Sequence, residues 1–303
     1  MATRGRAPRR PTLSLKPPMQ ESPGRYFLGL PAWAFPGWTG RYFPAPTRDA
    51  STLGYYAQVF NTVEGNTTFY RIPDEHTVSR WREAVAGTPF RFSFKIPRAI
   101  THERTLDREL VQQFMAVLEP LGDHLGPFLV QLPASLGPEN LGALKSLFEA
   151  LPSSHRYCLE LRHLEFFETP ELIEPLLARY NAGRVMFDSR PIYQGDSQHP
   201  EVLAARHKKP DVPLLDTVYN GLAYARVVLH PDSQHNEPYV EEWLARTQAY
   251  LEAGHTVYFM MHCPNNLHCP AFAEQFHLAL RQRAGDEVWP FPAWPLPQQD
   301  SLF

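Results

Sequence analysis

Ionisable or amide side chains recur where the short apolar segments of this sequence end. They lie far apart in the chain, and they are Glu64, Lys95, Gln131, Glu160, Asp188, Arg226 or His230, and His262. Burying such groups away from solvent and ligand is costly, because each one then needs a polar partner inside the protein. The pattern therefore predicts that they meet at one site, which could catalyse a reaction or bind a ligand.

Glu64 is the clearest of these residues. It lies in the stretch 60–70, which is rich in β-branched and aromatic residues and almost uncharged, as is typical of a strand. Alternation puts Thr62, Glu64 and Asn66 on one face. A buried, unpaired carboxylate costs several kcal/mol, so Glu64 needs a partner or a pocket. It could be half of a structural ion pair, or a catalytic or ligand-binding carboxylate.

The mixture of charges suggests acid/base chemistry on an anion. The residues expected to be catalytic are Glu64, Lys95, Glu160 and Asp188. Glu64 and Glu160 could serve as base and acid if unequal neighbours separate their pKa values. Lys95 could form a Schiff base if it is desolvated, and an ion pair is its alternative role.

Cationic, amide and aromatic side chains could hold the substrate, because arginine and lysine bind phosphate and carboxylate groups. The residues expected to do so are Asn66, Tyr70, Arg98, His102, Gln131, Arg162, Arg226, His230 and His262, with Trp33 and Trp38 of the aromatic loop 31–44.

A divalent metal ion is the other option for this set. The side chains of acceptable type to bind such an ion are those of Glu64, Glu160, Asp188 and His262. Lys95 and Arg226 come from strands between them, and neighbouring cations oppose metal binding. The sequence therefore predicts no organic cofactor and no metal-ligand set, and leaves a divalent ion open.

Alternating strands and helices must position these residues. Strands are expected at 26–30, 60–70, 90–96, 128–133, 157–162, 184–188, 224–230 and 256–262, and helices at 51–59, 77–86, 107–118, 139–150, 169–180, 239–252 and 272–281. Eight such strands favour an α/β fold of the (β/α)8 (TIM) barrel type, whose sites lie at the carboxyl ends of the strands. An open doubly wound sheet is the alternative, but the chain lacks the Gly-rich loops of its nucleotide-binding versions.

Composition limits the remaining possibilities. The 303 residues carry a net charge of −3, so the whole chain is not an electrostatic nucleic-acid binder. Three cysteines argue against a disulfide framework, and no apolar run could span a membrane, so a cytoplasmic protein is expected. One barrel domain is predicted over 25–285, with a disordered basic tail at 1–24 and a Pro/Trp-rich tail at 286–303. Residues 189–221 are predicted to be an irregular lid or insertion.

Several motifs in order resemble those of the DUF72 (YecE-like) family. They are Phe60–Glu64, Asn66–Tyr70, Phe92–Lys95, Ile100–His102, Gln131–Pro133, Glu160–Arg162 and Asp188–Ser189, and the similarity covers 26 to about 282. The resemblance implies a TIM barrel but no reaction, because the family is one of unknown function. The chain departs from the family at Gly65, where a large aliphatic residue is usual. It also departs after strand eight, where Asn265 and Asn266 could replace an Asn pair that comes earlier.

Three functions follow as hypotheses. The first is an enzyme, in the hydrolase, lyase or isomerase classes, that acts on a small anionic substrate bearing phosphate or carboxylate, such as a sugar derivative. The second is a metal-dependent phosphodiesterase or nuclease, for which the basic tail at 1–24 gives weak support. The third is a non-catalytic barrel that binds a ligand or partner through Trp33 and Trp38. The sequence does not determine the oligomeric state.

Overall fold

In the part of the chain that the structure describes, eight parallel strands form the centre of the protein. The computed structural model describes residues 25–44, 49–103, 105–196 and 198–295. The strands are β1 Arg25–Gly29, β2 Thr62–Gly65, β3 Arg91–Phe94, β4 Phe128–Gln131, β5 Tyr157–Glu160, β6 Gly183–Asp188, β7 Leu222–Val228 and β8 Thr256–His262.

The strands close into a barrel. One ladder runs β1-β8-β7-β6-β5-β4, and a second pairs β2 with β3. Parallel bridges from Lys95 to Leu129 and from Phe92 to Leu125 connect β3 to the β4 side. The Glu64 amide donates to the carbonyl of Leu30 at 3.0 Å, which connects β2 to the chain after β1. The predicted (β/α)8 barrel is confirmed.

Helices surround the strands. They are α1 Asp49–Val59, α2 Glu75–Ala84, α3 Arg98–Thr101, α4 Arg108–Leu118, α5 Leu141–Ala150, α6 Glu165–Glu168, α7 Glu174–Arg179, α8 Arg190–Gln194, α9 Pro200–Arg206, α10 Glu237–Glu252 and α11 Cys269–Ala284. The Asp107 side chain caps α4 by accepting from the amide of Leu110 at 2.9 Å. Val111, Phe114 and Leu118 then form the buried stripe of that helix.

Three local predictions were wrong. Residues 169–180 form no single helix, because the Thr169 side chain makes no capping bond and Pro175 starts a new first turn in α7. The predicted irregular segment 189–221 contains α8 and α9, which are too short for their periodicity to show in the sequence. The strand predicted to extend to residue 70 ends at Gly65, and Asn66–Phe69 forms a 3₁₀ turn.

Aromatic side chains fill the barrel below the polar residues. The Phe27 ring stacks on Tyr258 with centroids 4.5 Å apart, and Tyr258 stacks on Tyr224 at 5.9 Å. The hydroxyl groups of Tyr224 and Ser93 lie 2.8 Å apart and share a hydrogen bond. This packed layer forms a floor, so the ionisable side chains further along the same strands lie towards the carboxyl-terminal end.

The C-terminal segment packs on the outside of the barrel as far as it is described. The Trp289 ring lies 5.0 Å from Tyr26, and Trp294 lies 5.9 Å from Phe60. The predicted tail at 1–24 and the last part of the tail at 286–303 lie outside the described residues. Within the described ranges, no helix is long and apolar enough to cross a membrane.

Candidate active site

Arg226 is the centre of a buried ionic cluster. Its side chain points from β7 into the barrel and is almost fully buried. Its Nε and Nη2 donate to the two oxygens of Glu64 at 2.6 Å and 2.7 Å, while its Nη1 donates to Oε2 of Glu160. One guanidinium on β7 therefore joins carboxylates from β2 and β5.

Glu160 has a second cationic partner. Arg162 donates from Nε and Nη2 to Oε1 of Glu160 at 2.9 Å and 2.8 Å. Burial by itself would raise the pKa of Glu160, but the charges of Arg226 and Arg162 outweigh burial and lower that pKa to about 2. Glu160 is therefore ionised at neutral pH.

Glu64 is held in the same way. Asn66 donates from Nδ2 to Oε1 of Glu64 at 2.8 Å, and Nε2 of His262 lies 3.3 Å from Oε2. Burial opposes ionisation, but Arg226 and then His262 lower the pKa of Glu64 well below its usual value. Burial lowers the pKa of His262 to about 4 despite the neighbouring Glu64 carboxylate, so its imidazole is neutral at pH 7.

Lys95 lies at the same end of the barrel, just after β3. Its Nζ is 3.6 Å from the centroid of the Phe69 ring, which is a cation–π contact. Among the described residues no carboxylate lies within ion-pair distance of it. Burial first, and then the charge of Arg226, lowers the pKa of Lys95 to about 8. The geometry thus favours the desolvated lysine over the ion-paired one.

Lys209 joins the cluster from a segment that sequence reasoning missed. It lies between α9 and β7, and its Nζ is 3.4 Å from Nδ1 of His262. Burial, followed by the charge of Arg226, lowers the pKa of Lys209 to about 8. It lies inside the segment predicted to be irregular, where no strand end or periodic pattern marks it.

His102 and Gln131 lie at the edge of the cluster. The His102 ring packs edge-on against Phe69 at 5.3 Å, and its Nδ1 shares a hydrogen bond with the Thr101 hydroxyl. Burial and the charge of Lys95 lower the pKa of His102 to about 4. Gln131 is buried and is in register with Glu160 in the β4–β5 ladder.

A pocket opens beside Glu64. It has a volume of about 260 Å³. The residues that line it are Pro31, Ala32, Trp33, Ala34, Glu64, Asn66, Thr67 and Tyr70. Trp33 packs edge-on against Trp81 at 5.3 Å, whereas Tyr70 is 83% exposed at the rim. The pocket therefore combines an apolar wall with a polar base at Glu64 and Asn66.

Asp188 does not lie in the cluster, contrary to expectation. The neighbouring Phe187 points into the barrel, where Arg226 lies over its ring at 5.4 Å, and alternation turns Asp188 outward. Its carboxylate accepts from Arg190 at 2.9 Å and 2.8 Å and from the Trp243 indole at 2.7 Å. Asp188 connects β6 to α8 and α10 instead of facing a ligand.

Trp38 and His230 are also misplaced by the sequence prediction. Trp38 is fully buried in the core and donates to the carbonyl of Asn266 at 2.8 Å, so it lines no described pocket. His230 lies beyond the end of β7, and the Asn236 side chain bonds to both its amide and its carbonyl. That turn directs the His230 ring to His235, 4.4 Å away, outside the cluster.

Arg98 lies apart from the cluster as well. It is exposed on the first turn of α3 and lines a separate surface pocket with Tyr70 and Glu103. Its charge acts on the cluster only indirectly, as one of the influences that lower the pKa of His102. Among the positions predicted from sequence, those brought together are Glu64, Asn66, Lys95, His102, Gln131, Glu160, Arg162, Arg226 and His262, with Trp33 and Tyr70 beside them.

Comparison with known proteins identifies the family. The family described as "Protein of unknown function DUF72" matches residues 27–297. The chain belongs to the DUF72 family. The UPF0759 protein YecE of Escherichia coli K12 is 33% identical over 282 residues, which cover 91% of this chain and 99% of that protein.

Crystal structures of DUF72 proteins share the fold. One from Thermotoga maritima has a TM-score of 0.64 at 20% identity, covering 85% of this chain and 99% of that one. One from Enterococcus faecalis has a TM-score of 0.57 at 21% identity, covering 86% and 97%. At these identities the likeness concerns the fold alone.

The structure shows the surroundings of both departures from the DUF72 pattern. A Cβ at Gly65 would overlap the Phe94 ring, so that ring occupies the space of a side chain. Asn265 bonds to Glu201 of α9, and the Asn266 carbonyl accepts from Trp38. Neither asparagine contacts the ionic cluster through these bonds.

The two carboxylates of the cluster in this DUF72 protein are already paired with arginines. In the part of the chain that the structure describes, no three His, Cys, Asp or Glu side chains are grouped as metal ligands. The oxygens of Glu64 and Glu160 already accept hydrogen bonds from cations, and Asp188 lies outside the cluster.

Proposed function

We propose that this DUF72 protein is an enzyme that binds a small anionic substrate at the carboxyl-terminal rim of the barrel and performs acid/base chemistry on it. The observation that carries the proposal is the charge of the cluster. Its ionised members are four cations, Lys95, Arg162, Lys209 and Arg226, and two carboxylates, Glu64 and Glu160. The cluster therefore has two net positive charges in a buried setting, which favours a phosphate or carboxylate group.

Lys95 and Arg162 are the cations best placed to bind that anion. Among the described residues, the partner of the Lys95 ammonium is the face of the Phe69 ring. Its three N–H groups therefore remain to donate hydrogen bonds to a ligand. Arg162 is partly exposed and uses Nε and Nη2 for Glu160, while its Nη1 bonds to no described residue. Arg226, in contrast, donates from each of its three nitrogens to the two carboxylates and serves to hold the cluster together.

Lys95 is also the best candidate for proton transfer. The low pKa values of Glu64 and Glu160 make both poor proton donors and weak bases near pH 7. Lys95, with a pKa of about 8, exists in both protonation states close to neutral pH. It can act as an acid, as a base or as a Schiff-base nucleophile. The two carboxylates were expected to be the acid/base pair. We assign them instead the role of holding the Arg226 side chain in position.

The pocket beside Glu64 gives space for the uncharged part of the substrate. Trp33 and Tyr70 supply flat apolar surfaces, and Asn66 supplies a polar group at the base. Flat faces of this kind pack well against aromatic rings or the apolar face of a sugar. The substrate that fits best is a small molecule with one anionic group and one flat group.

Calorimetric titration with inorganic phosphate tests the proposal. Wild-type protein should bind phosphate at pH 7, and Lys95→Ala should weaken the affinity at least about tenfold, or about 1.4 kcal/mol. The control is Lys145→Ala, which removes an exposed lysine of α5 whose ion pair with Glu149 spans 3.9 Å. Equal phosphate affinity for wild type and Lys95→Ala would contradict the anion site.

A thermal-shift screen of phosphorylated and carboxylated metabolites would then identify the substrate class. Compounds that stabilise wild type should lose their effect in Lys95→Ala and be weakened in Glu64→Gln, because the latter disturbs Arg226. A stabilising compound that is never converted would favour the second candidate, a non-catalytic binding barrel. The aromatic wall at Trp33 is the observation that supports this second candidate.

A further inference from the structure

Lys209 enters the site on a segment that is firmly attached to the barrel. Its amide donates to the carbonyl of Ala205 at 2.9 Å, and its own carbonyl accepts from the Tyr193 hydroxyl at 2.7 Å. Bonds to both α8 and α9 thus fix the Lys209 backbone. From there the side chain reaches His262 on β8, 3.4 Å from Nδ1.

The surroundings of the Lys209 amine are dominated by the ionic cluster. The charged and titratable groups that act on it or on which it acts are His262, Glu64, Glu160, Arg162, Arg226, Cys263 and Cys269. Its imidazole neighbour is neutral, and both carboxylates are already bonded to arginines. Among the described residues, the Lys209 amine therefore contacts His262 and has no direct carboxylate partner that would neutralise its charge.

Lys209 decides the magnitude of the positive charge. Without Lys209, the cluster has three cations, Lys95, Arg162 and Arg226, and two carboxylates. Its net charge is then one positive charge, which suits a monoanion such as a carboxylate. With it, the excess is two, which suits a phosphate monoester in its dianionic form. The electrostatic contribution of one added cation is twice as large for a dianion as for a monoanion at the same position.

We propose that Lys209 is a specificity-determining residue that makes this site select dianions, in particular phosphate monoesters, over carboxylates. The inference rests on the proposed anion site and adds the class of its substrate. It assigns a function to the segment between β6 and β7 that composition could describe only as a lid or insertion. Lys95 and Lys209, from β3 and from the α9–β7 connection, would both contact the bound group.

The test compares sulfate, which is a dianion at pH 7, with acetate, a monoanion. Affinities are measured by titration of the full chain at constant ionic strength. If Lys209→Ala weakens sulfate binding about tenfold, acetate binding should weaken only about threefold, because the effect scales with ligand charge on a logarithmic axis. Lys209→Arg should keep most of the sulfate preference.

Lys208→Ala is the matched control, since Lys208 is the neighbouring residue and is exposed. It should leave both affinities unchanged. Should Lys209→Ala fail to fold by circular dichroism, Lys209→Met preserves the apolar stem and removes only the charge. A folded variant that leaves the sulfate-to-acetate ratio unchanged overturns the proposal.

The two proposals fail in different ways. If Lys95→Ala abolishes sulfate binding while Lys209→Ala has no effect, the anion site stands and the role of Lys209 is wrong. If wild-type protein binds neither sulfate nor acetate, the anion site itself is wrong and the role of Lys209 falls with it.

Discussion

Replacing Arg226 by methionine should destabilise the protein strongly. The variant removes the two charge-assisted bonds to Glu64, at 2.6 Å and 2.7 Å, and the bond to Glu160. Glu160 keeps Arg162, so the uncompensated charge is mainly that of Glu64, which is fully buried. Loss of one partner of a buried ion pair costs about 3–5 kcal/mol, which is a large part of the stability of a typical domain.

A second substitution tests whether the charge is the cause. In wild-type protein, Glu64→Gln should cost about 1–2 kcal/mol because it leaves Arg226 with one carboxylate fewer. In the Arg226→Met protein the same change should be neutral or stabilising by about 1 kcal/mol, since it removes the unpaired charge. The cycle then gives an interaction free energy of about 1–3 kcal/mol between the two residues.

Urea unfolding at pH 7, followed by circular dichroism, measures the four free energies of unfolding. Arg283→Met is the control, because Arg283 pairs with Glu241 at the surface at 2.5 Å. Exposed pairs contribute about 0–1 kcal/mol, so the control should change little. If Glu64→Gln costs the same free energy in both backgrounds, Arg226 does not hold Glu64 and the reasoning about the cluster is refuted.

Three further predictions follow from the same structure. Because its pKa is lowered from 4.5 to about 2, Glu160 should contribute about 3 kcal/mol of stability above pH 4.5 that is lost as the pH falls towards 2. Urea unfolding at pH 6 and pH 3 should show about 2 kcal/mol of this loss, because pH 3 still lies above the folded pKa, and an equal loss in Glu160→Gln would count against it. Asp188→Asn should lower the free energy of unfolding by about 2–4 kcal/mol, through its bonds to Arg190 and Trp243, yet leave phosphate affinity unchanged. A weakened phosphate affinity in a folded Asp188→Asn protein would return Asp188 to the site. Trp33→Ala should weaken binding of phenyl phosphate at least about threefold without altering that of inorganic phosphate, as calorimetry can show. Equal effects on both ligands would exclude the Trp33 wall as a subsite.

Alternation along the strands predicted much of the cluster from sequence. Glu64 and Arg226 each lie in an apolar strand at a position whose side chain faces the interior. The two side chains therefore face each other once the strands form a barrel. The sequence prediction misplaced Asp188, because alternation assigns residues to two faces of a strand but does not say which face lies inside the barrel. In β6 the interior face belongs to Phe187, so its neighbour points to the helices.

Residues outside strands were harder to place. Lys209 belongs to a polar connection, and bonds of its backbone to Ala205 and Tyr193 hold it where its amine reaches His262. From the sequence, Trp38 could either line a pocket or pack in the core. Its hydrogen bond to Asn266, which is distant in the chain, holds it in the core. Such outcomes depend on contacts between segments far apart in the chain, which local patterns do not contain.

The protonation states were also beyond reach of the sequence. Glu64 and Glu160 were natural candidates for proton transfer, but their pKa values depend on which arginine reaches them and at what burial. Our proposal gives that role to Lys95, whose own pKa is lowered by burial and by the same Arg226. Arg226 thus helps to keep both carboxylates ionised and, together with burial, lowers the pKa of Lys95 towards neutral pH.

A crystal soaked in selenate, a dianion with a strong anomalous signal, tests the central claim most directly. The anion site requires an anomalous peak at the carboxyl-terminal mouth of the barrel, within hydrogen-bonding distance of Lys95 and Arg162, and the role of Lys209 requires contact with its amine as well. An empty mouth in crystals whose surface binds selenate elsewhere would contradict the account.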